Sequence, residues 1–261
     1  MTDTVESWLT HLQVERNYSA NTIATYKRTL TTFPDAATAT REDVEQWWRD
    51  RAHLAPATRN NELSALRSFY KWAIRWEVRP DDPTLRIDGL KQDRGLPRPV
   101  SRADLFTLLE RLDGDLRRAV ALGAWAGLRV SEAAALDWVD VDQEANRIRV
   151  TGKGRKVRLV GLSPLLLDSL LPDTGGNVVT AGGKQYAAGT LDRKVNRAIR
   201  AAGVDATYHQ LRHRFGTMAL ATSGNLLAVS RAMGHTSPST TAIYSATSDS
   251  ELDVIAEGVT R

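Results

Sequence analysis

Residues 147–161 read RIRVTGKGRKVRLVG. Arg147, Arg149 and Thr151 alternate with Ile148 and Val150. On the far side, Val157, Leu159 and Gly161 alternate with Arg158 and Val160, and the turn TGKGRK between them holds two glycines. Alternation of period two on both sides of a glycine turn predicts a β-hairpin with Lys153 at or near its tip. Its cations Arg147, Arg149, Lys153, Arg155, Lys156 and Arg158 have no acid among them. The surrounding sequence has a helical period instead, so the expected fold is mainly α with one small β-hairpin or sheet.

Upstream, Leu116 to Leu136 is Ala-rich and apolar, broken around Gly127, and is expected to run through a core. Ser101 with Asp104 predicts a helix start, with Leu105, Leu108, Leu109 and Leu112 as the buried stripe. Downstream, helices are expected at about 190–202, 210–222, 225–233 and 238–246, with Arg193, Arg197 and Arg200 on one face of the first. Residues 79–99 carry Pro80, Pro83, Pro97 and Pro99 among charged residues and read as a linker.

The first ninety residues read as four helices. Val5, Trp8, Leu9 and Leu12 share one face. Ser19 or Asn21 caps a second helix carrying Ile23, Tyr26, Leu30 and Phe33. Thr40 with Asp43 opens a third, through Trp47 and Trp48. Thr58 caps a fourth, with Leu63, Leu66, Phe69 or Tyr70, and Ile74 inward. The expected organisation is a helical bundle over 1–79, a linker over 80–99, and a second domain over 100–261 that ends in a tail, 245–261.

There is no cysteine, which excludes disulfides, thiolate catalysis and Cys-ligated metals. No carboxylate cluster has metal-ligand spacing, which argues against a metal-dependent nuclease. No apolar run spans a bilayer and the N-terminus lacks a secretory signal, so a cytoplasmic protein without membrane contact is expected. The net charge is +4. Residues 1–90 carry 12 Lys/Arg against 13 Asp/Glu, while residues 91–261 carry 23 against 18. Lys184, Arg193, Lys194, Arg197, Arg200, Arg212 and Arg214 form a second basic stretch. Such patches suit double-stranded DNA. Candidate DNA contacts are Lys27, Arg28, Arg59, Asn60, Arg67 and Lys71 on the bundle, with Arg155, Arg193 and Arg197 beyond it. A merely wet helix face reads the same way.

One tyrosine ends a scattered set of cations: Arg129 in GLRVSE, Lys153 in TGKGRK, His209 and Arg212 in HQLRH, His235 in MGH, and Tyr244 in TTAIY. A phenol ionises near ~10 and is a poor nucleophile at neutral pH. Fixed positive charge favours the phenolate and holds a phosphodiester for attack. Each residue has an ordinary reading when taken alone. Arg129 pairs with Glu132 one turn on, Lys153 is a turn lysine, His209 or His213 is a core histidine, His235 ends a helix, and Tyr244 packs.

Taken in order, these motifs resemble those of the tyrosine recombinase (phage integrase) family. GLRVSE resembles its first arginine motif, which implies that Arg129 is catalytic and Glu132 orients it. TGKGRKVR resembles the family hairpin, which implies Lys153 as general acid, with Lys156 a weaker rival; Arg155, Lys156 and Arg158 have no catalytic match and read as backbone contacts or solvated charges. HQLRHRFGT implies His209 and Arg212, with His213 structural. MGHTSPSTTAIYSA implies His235 and Tyr244. The N-terminal helices resemble the family's SAM-like core-binding bundle, and the second domain its catalytic domain.

The resemblance implies cleavage and rejoining of DNA through a 3′-phosphotyrosyl link, with no cofactor and no metal. It also implies a homotetramer on DNA held through the C-terminal tail, and an accessory factor or partner recombinase. The chain has no room for the arm-binding domain of lambda-type integrases, which leaves simple integrases, Xer-type resolvases and plasmid resolvases. MGH and TTAIYSA depart from the LGH and IYTH wording common in Xer proteins, so a phage or mobile-element integrase is expected. A Xer-type chromosome or plasmid dimer resolvase stays open. A type IB topoisomerase shares the chemistry, but the small N-terminal bundle and the motif wording argue against it. A catalytically silent DNA-binding regulator is the alternative of another class, disfavoured because every expected motif position is filled.

Overall fold

A computed structural model describes residues 3–91, 98–152, 154, 156–171, 175–234 and 256–259. The chain divides into two compact units, residues 1–95 and 96–261.

The first unit is four helices, α1 (Asp3–Val14), α2 (Ala20–Thr31), α3 (Arg41–Asp50) and α4 (Pro56–Arg75). Val5, Trp8, Leu9 and Leu12 are the buried stripe of α1. Trp8 is fully buried, stacked on Tyr26 at 5.6 Å between ring centroids and meeting the edge of Phe69 at 5.5 Å. Burial of each such side chain contributes about 1.5–3 kcal/mol. Ser19 caps α2, and Thr40 with Asp43 forms a reciprocal capping box on α3, satisfying two orphan amide groups.

Two expectations for α4 are corrected. The helix opens at Pro56 after Ala55, not at Thr58, because proline presets the first helical φ and lacks the amide that would go unpaired. Near its end Ile74 is 41% exposed while Ala73 is buried, since the apolar stripe has drifted off it by the last turn.

The expected linker is also corrected in its first half. Ile87 is buried in the bundle core. Arg79 donates to the carbonyls of Ala36 and Ala39 at 3.2 and 3.1 Å and lies over the Tyr70 ring. Prolines stop a helix here without stopping the chain from packing.

The second unit is built around α6 (Gly114–Trp125), whose residues from Arg118 to Trp125 are all buried. Before it runs α5 (Arg102–Arg111), capped by Ser101, which accepts from the Asp104 amide. After it the chain breaks at Gly127 and resumes as α7 (Val130–Ala135). Gly127 has φ +63°, and a Cβ there would collide with the Phe215 ring. Strands β1 (Val141–Asp142), β2 (Arg147–Thr151) and β3 (Val157–Gly161) form an antiparallel sheet in that order.

Helix α8 (Pro164–Leu170) and a small hairpin of β4 (Thr180–Ala181) and β5 (Lys184–Gln185) lead to α9 (Ala188–Ala201), α10 (Tyr208–Ser223) and α11 (Leu226–Met233). Helix α10 packs on α6 where Gly123 lacks a side chain; a Cβ there would lie 3.1 Å from the Tyr208 ring. Asn225 caps α11, and left-handed Gly234 ends it. The expected helix at 238–246 lies outside the described residues. Residues 256–258 are helical, Ala256 is buried, and Val259 is buried in the core of the second unit.

Candidate active site

The register Val150↔Arg158 and Ile148↔Val160 decides which residues of the sheet reach the interior. Ile148, Val150 and Val160 are buried, so Arg158 stands on their face. Val157 and Leu159 point outward, 60% and 46% exposed. The expectation that Arg158 is a backbone contact or a solvated charge is therefore corrected. Its side chain is 12% exposed, with Nη1 and Nη2 donating to Glu132 Oε1 and Oε2 at 2.9 and 2.8 Å. Alternation alone could not reveal this, because it left open which of two faces was inside. In the final pairing two apolar residues face out and the arginine faces in.

Glu132 is the node of the site. It lies in the first turn of α7, with its side chain only 4% exposed. It accepts from the Arg129 amide at 2.8 Å and from Arg129 Nη1 at 2.9 Å. Arg212 Nη1 stands 3.7 Å from Oε2. Burial alone raises the carboxyl pKa, but hydrogen bonds from Arg158 and Arg129 outweigh it and hold the group below its ordinary value. Glu132 is thus ionised, and three guanidiniums around one carboxylate leave a surplus of positive charge.

The same three arginines close the end of α11. Arg158 Nε donates to the Ala232 carbonyl at 2.7 Å, Arg212 Nη2 to that of Met233 at 2.5 Å, and Arg129 Nη2 to that of Gly234 at 2.8 Å. These are carbonyls that a helix leaves without intrahelical partners, and cations there also complement the helix dipole. The two expected catalytic arginines differ in access. Arg129 is 40% exposed, while Arg212 is 4% exposed and also donates to the Gly127 carbonyl. Burial, with Arg129 beside it, pulls the Arg212 guanidinium down to about 10, still charged at neutral pH.

His209 is exposed at the start of α10, with its ring centroid 4.4 Å from that of His213 in an edge-on contact. Burial, then His213, Arg212 and Arg129, push its pKa below the ordinary value. The ring is therefore neutral at pH 7 and able to accept a proton. Arg129 and Arg212 thus come together around Glu132, and His209 precedes Arg212 by one turn of α10, where the charge of both arginines reaches it. Lys153, Arg155, His235 and Tyr244 lie outside the described residues.

The expected DNA contacts divide into two groups. On the bundle, Asn60 spends both side-chain polar atoms on the Leu90 backbone, at 2.8 Å each way. Arg67 donates to the Ile87 carbonyl, and Arg59 to that of Trp48 while lying over the Trp48 ring. Lys27 pairs with Glu6 at 3.1 Å in the open. Arg28 and Lys71 are exposed, as are Arg193 and Arg197 on the face of α9 opposite Leu191, Val195 and Ile199.

Comparison with known proteins agrees over both units. The profile of the Phage integrase family matches residues 104–251, and that of the Phage integrase N-terminal SAM-like domain matches residues 5–77. A tyrosine recombinase XerC of Roseiflexus sp. (strain RS-1) is 31% identical, covering 94% of this chain and 89% of its own. A tyrosine recombinase XerD of Xanthomonas axonopodis pv. citri (strain 306) is 32% identical, covering 92% and 91%. A lambda integrase tetramer bound to a Holliday junction is similar in fold, with TM-score 0.72 and 16% identity over 92% of this chain and 80% of that one.

Proposed function

Because the chain belongs to the phage integrase family of tyrosine recombinases, we propose that its Arg129–Glu132–Arg212 cluster holds the scissile phosphate of DNA during strand cleavage and rejoining. The observation that carries the reading is the convergence of three guanidiniums on one buried carboxylate, with neutral His209 one turn before Arg212. Arg129 and Arg212 grip the nonbridging oxygens and stabilise the charge of a pentacoordinate phosphorus. The Tyr244 oxygen attacks in line, forming a 3′-phosphotyrosyl ester while the bond to the 5′ oxygen breaks. Lys153 protonates that leaving oxygen. His209 takes the tyrosine proton or donates to the phosphate, and His235 donates to a phosphate oxygen. Rejoining is the reverse, with a 5′ hydroxyl attacking the ester. The ester keeps the energy of the broken bond, so no nucleotide cofactor is required.

We read the partner as double-stranded DNA and the compartment as the cytoplasm. We read the working assembly as a homotetramer on DNA, in keeping with the related lambda integrase tetramer on a Holliday junction. Tail residues 245–261 are our proposed link between protomers, although in the single chain Val259 is buried in its own unit and Gly258 lies against Thr222. Integration or excision of a phage or mobile element is one role for this chemistry. Resolution of chromosome or plasmid dimers, with a partner recombinase, is a second, favoured by the XerC and XerD names of the relatives.

Covalent trapping tests the chemistry. The protein is incubated with a pool of nicked duplexes of randomised core sequence, in which cleavage releases a short 5′-hydroxyl fragment that diffuses away. An SDS-stable adduct that Tyr244→Phe fails to form is the expected result. DNA binding with no adduct at any sequence turns the reading toward a silent DNA-binding regulator.

A further inference from the structure

We infer that Arg158 is a positioning residue for strand cleavage, acting through Glu132; this rests on the tyrosine-recombinase reading above. Arg158 is placed by the sheet, not by the helices that carry Arg129 and Arg212. Its register opposite Val150 turns it inward, and all three guanidinium nitrogens are engaged by protein acceptors. It therefore has a poor geometry for meeting a phosphate itself. The fold makes room for it at Gly234, where φ is +64° and a Cβ would stand 2.9 Å from Arg158 Nη1.

Its effect follows from charge. Glu132 carries one negative charge, and Arg158 satisfies both of its oxygens through a fork-to-fork pair. The carboxylate then makes only a partial demand on Arg129 and Arg212. Without Arg158, a buried carboxylate is left to these two alone. Both are drawn onto Glu132, and their charge is spent there instead of on the substrate. Arg158 also ties β3, in the hairpin that holds Lys153, to the Ala232 carbonyl three residues before His235. It belongs to no catalytic motif in the sequence, yet it bonds the acid of one motif and the chain entering another.

The test compares wild type, Arg158→Gln, Glu132→Gln, the double variant and Arg158→Lys on duplexes that the wild type captures from the nicked pool. Single-turnover cleavage and the salt dependence of binding are both read. Arg158→Gln is expected to cleave about a hundredfold more slowly, with the salt slope of DNA binding unchanged. The double variant, in which neither charge is left alone, is expected to recover about tenfold over Arg158→Gln. Arg158→Lys keeps the charge without the fork and falls between.

Wild-type cleavage by Arg158→Gln overturns the inference. So does a double variant no faster than Arg158→Gln, and so does a salt slope reduced by about one, which marks a direct phosphate contact. Should Arg158→Gln not fold, the double variant decides: it must fold and cleave, and a folded but inactive double variant removes the proposal. If the wild type forms no adduct at all, the recombinase reading fails and takes this inference with it.

Discussion

Glu132 and Arg158 meet through two near-equal hydrogen bonds of 2.9 and 2.8 Å, 26 residues apart in sequence and both nearly shut off from solvent. Removing one partner of such a pair is expected to cost about 3–5 kcal/mol, because the other charge is left buried. Glu132→Ala should show this loss in urea unfolding at pH 7. A loss under about 1 kcal/mol would mean that the arginines are satisfied elsewhere.

The same carboxylate gives a pH signature. Its folded pKa lies below the ordinary 4.5, so its stabilising contribution is complete above that value and drains away as pH falls through the folded pKa. Wild type should lose stability relative to Glu132→Gln only below about pH 4.5. Denaturation midpoints from pH 7 to pH 3 check this, and parallel curves would contradict it.

His209 offers a kinetic counterpart. Burial and then His213 lower its pKa from 6.5, so the neutral ring persists on the acid side of that value. If it accepts the tyrosine proton, cleavage should hold steady from pH 7.5 to 6.5 and fall only in more acid buffer. His213→Ala removes both cover and the neighbouring ring that opposes charge on His209, which favours the protonated form. Its acid limb should move to higher pH, as read by single-turnover rates or by NMR titration of the His209 ring.

Gly127 is expected to resist replacement. Gly127→Ala forces a side chain into a left-handed conformation and against the Phe215 ring. The two costs are about 1–2 and 1–3 kcal/mol. Because Gly127 also supplies the carbonyl that Arg212 holds, cleavage should drop further than stability alone explains. Thermal melts beside adduct yields separate the two effects.

Among the candidate DNA contacts, the structure sorts packing residues from exposed ones. Asn60→Ala loses two bonds to Leu90 and should destabilise the bundle by about 1–3 kcal/mol. Arg193→Ala and Arg197→Ala remove exposed cations and should leave stability unchanged while each lowers the salt slope of DNA binding by about one. Equal salt slopes in variant and wild type would clear α9 of a role in phosphate contact.

Local chemistry made much of this molecule readable. The Thr40–Asp43 box, the Ser101 cap, the apolar stripe of α1 and the glycine hairpin are all short-range patterns, and each appears where the sequence puts it. What stayed hidden depends on distant partners. Nothing within a few residues of Arg158 says that Glu132 and the end of α11 wait on its inner side. Ile87 looked like a linker residue because prolines and acids surround it, although its side chain closes the bundle core. Asn60 and Arg67 looked free for the same reason, since their acceptors lie 30 and 20 residues away.

The inward turn of β3 has a consequence for descent. A buried arginine without its carboxylate is as damaging as the carboxylate without its arginine, so neither position can change first without an impaired intermediate. Glu132 and Arg158 should therefore be inherited as one unit. A lineage that keeps the acid but loses the arginine would have to supply another cation at the same spot, and a lineage that loses both would have to hold Arg129 in place by some other means.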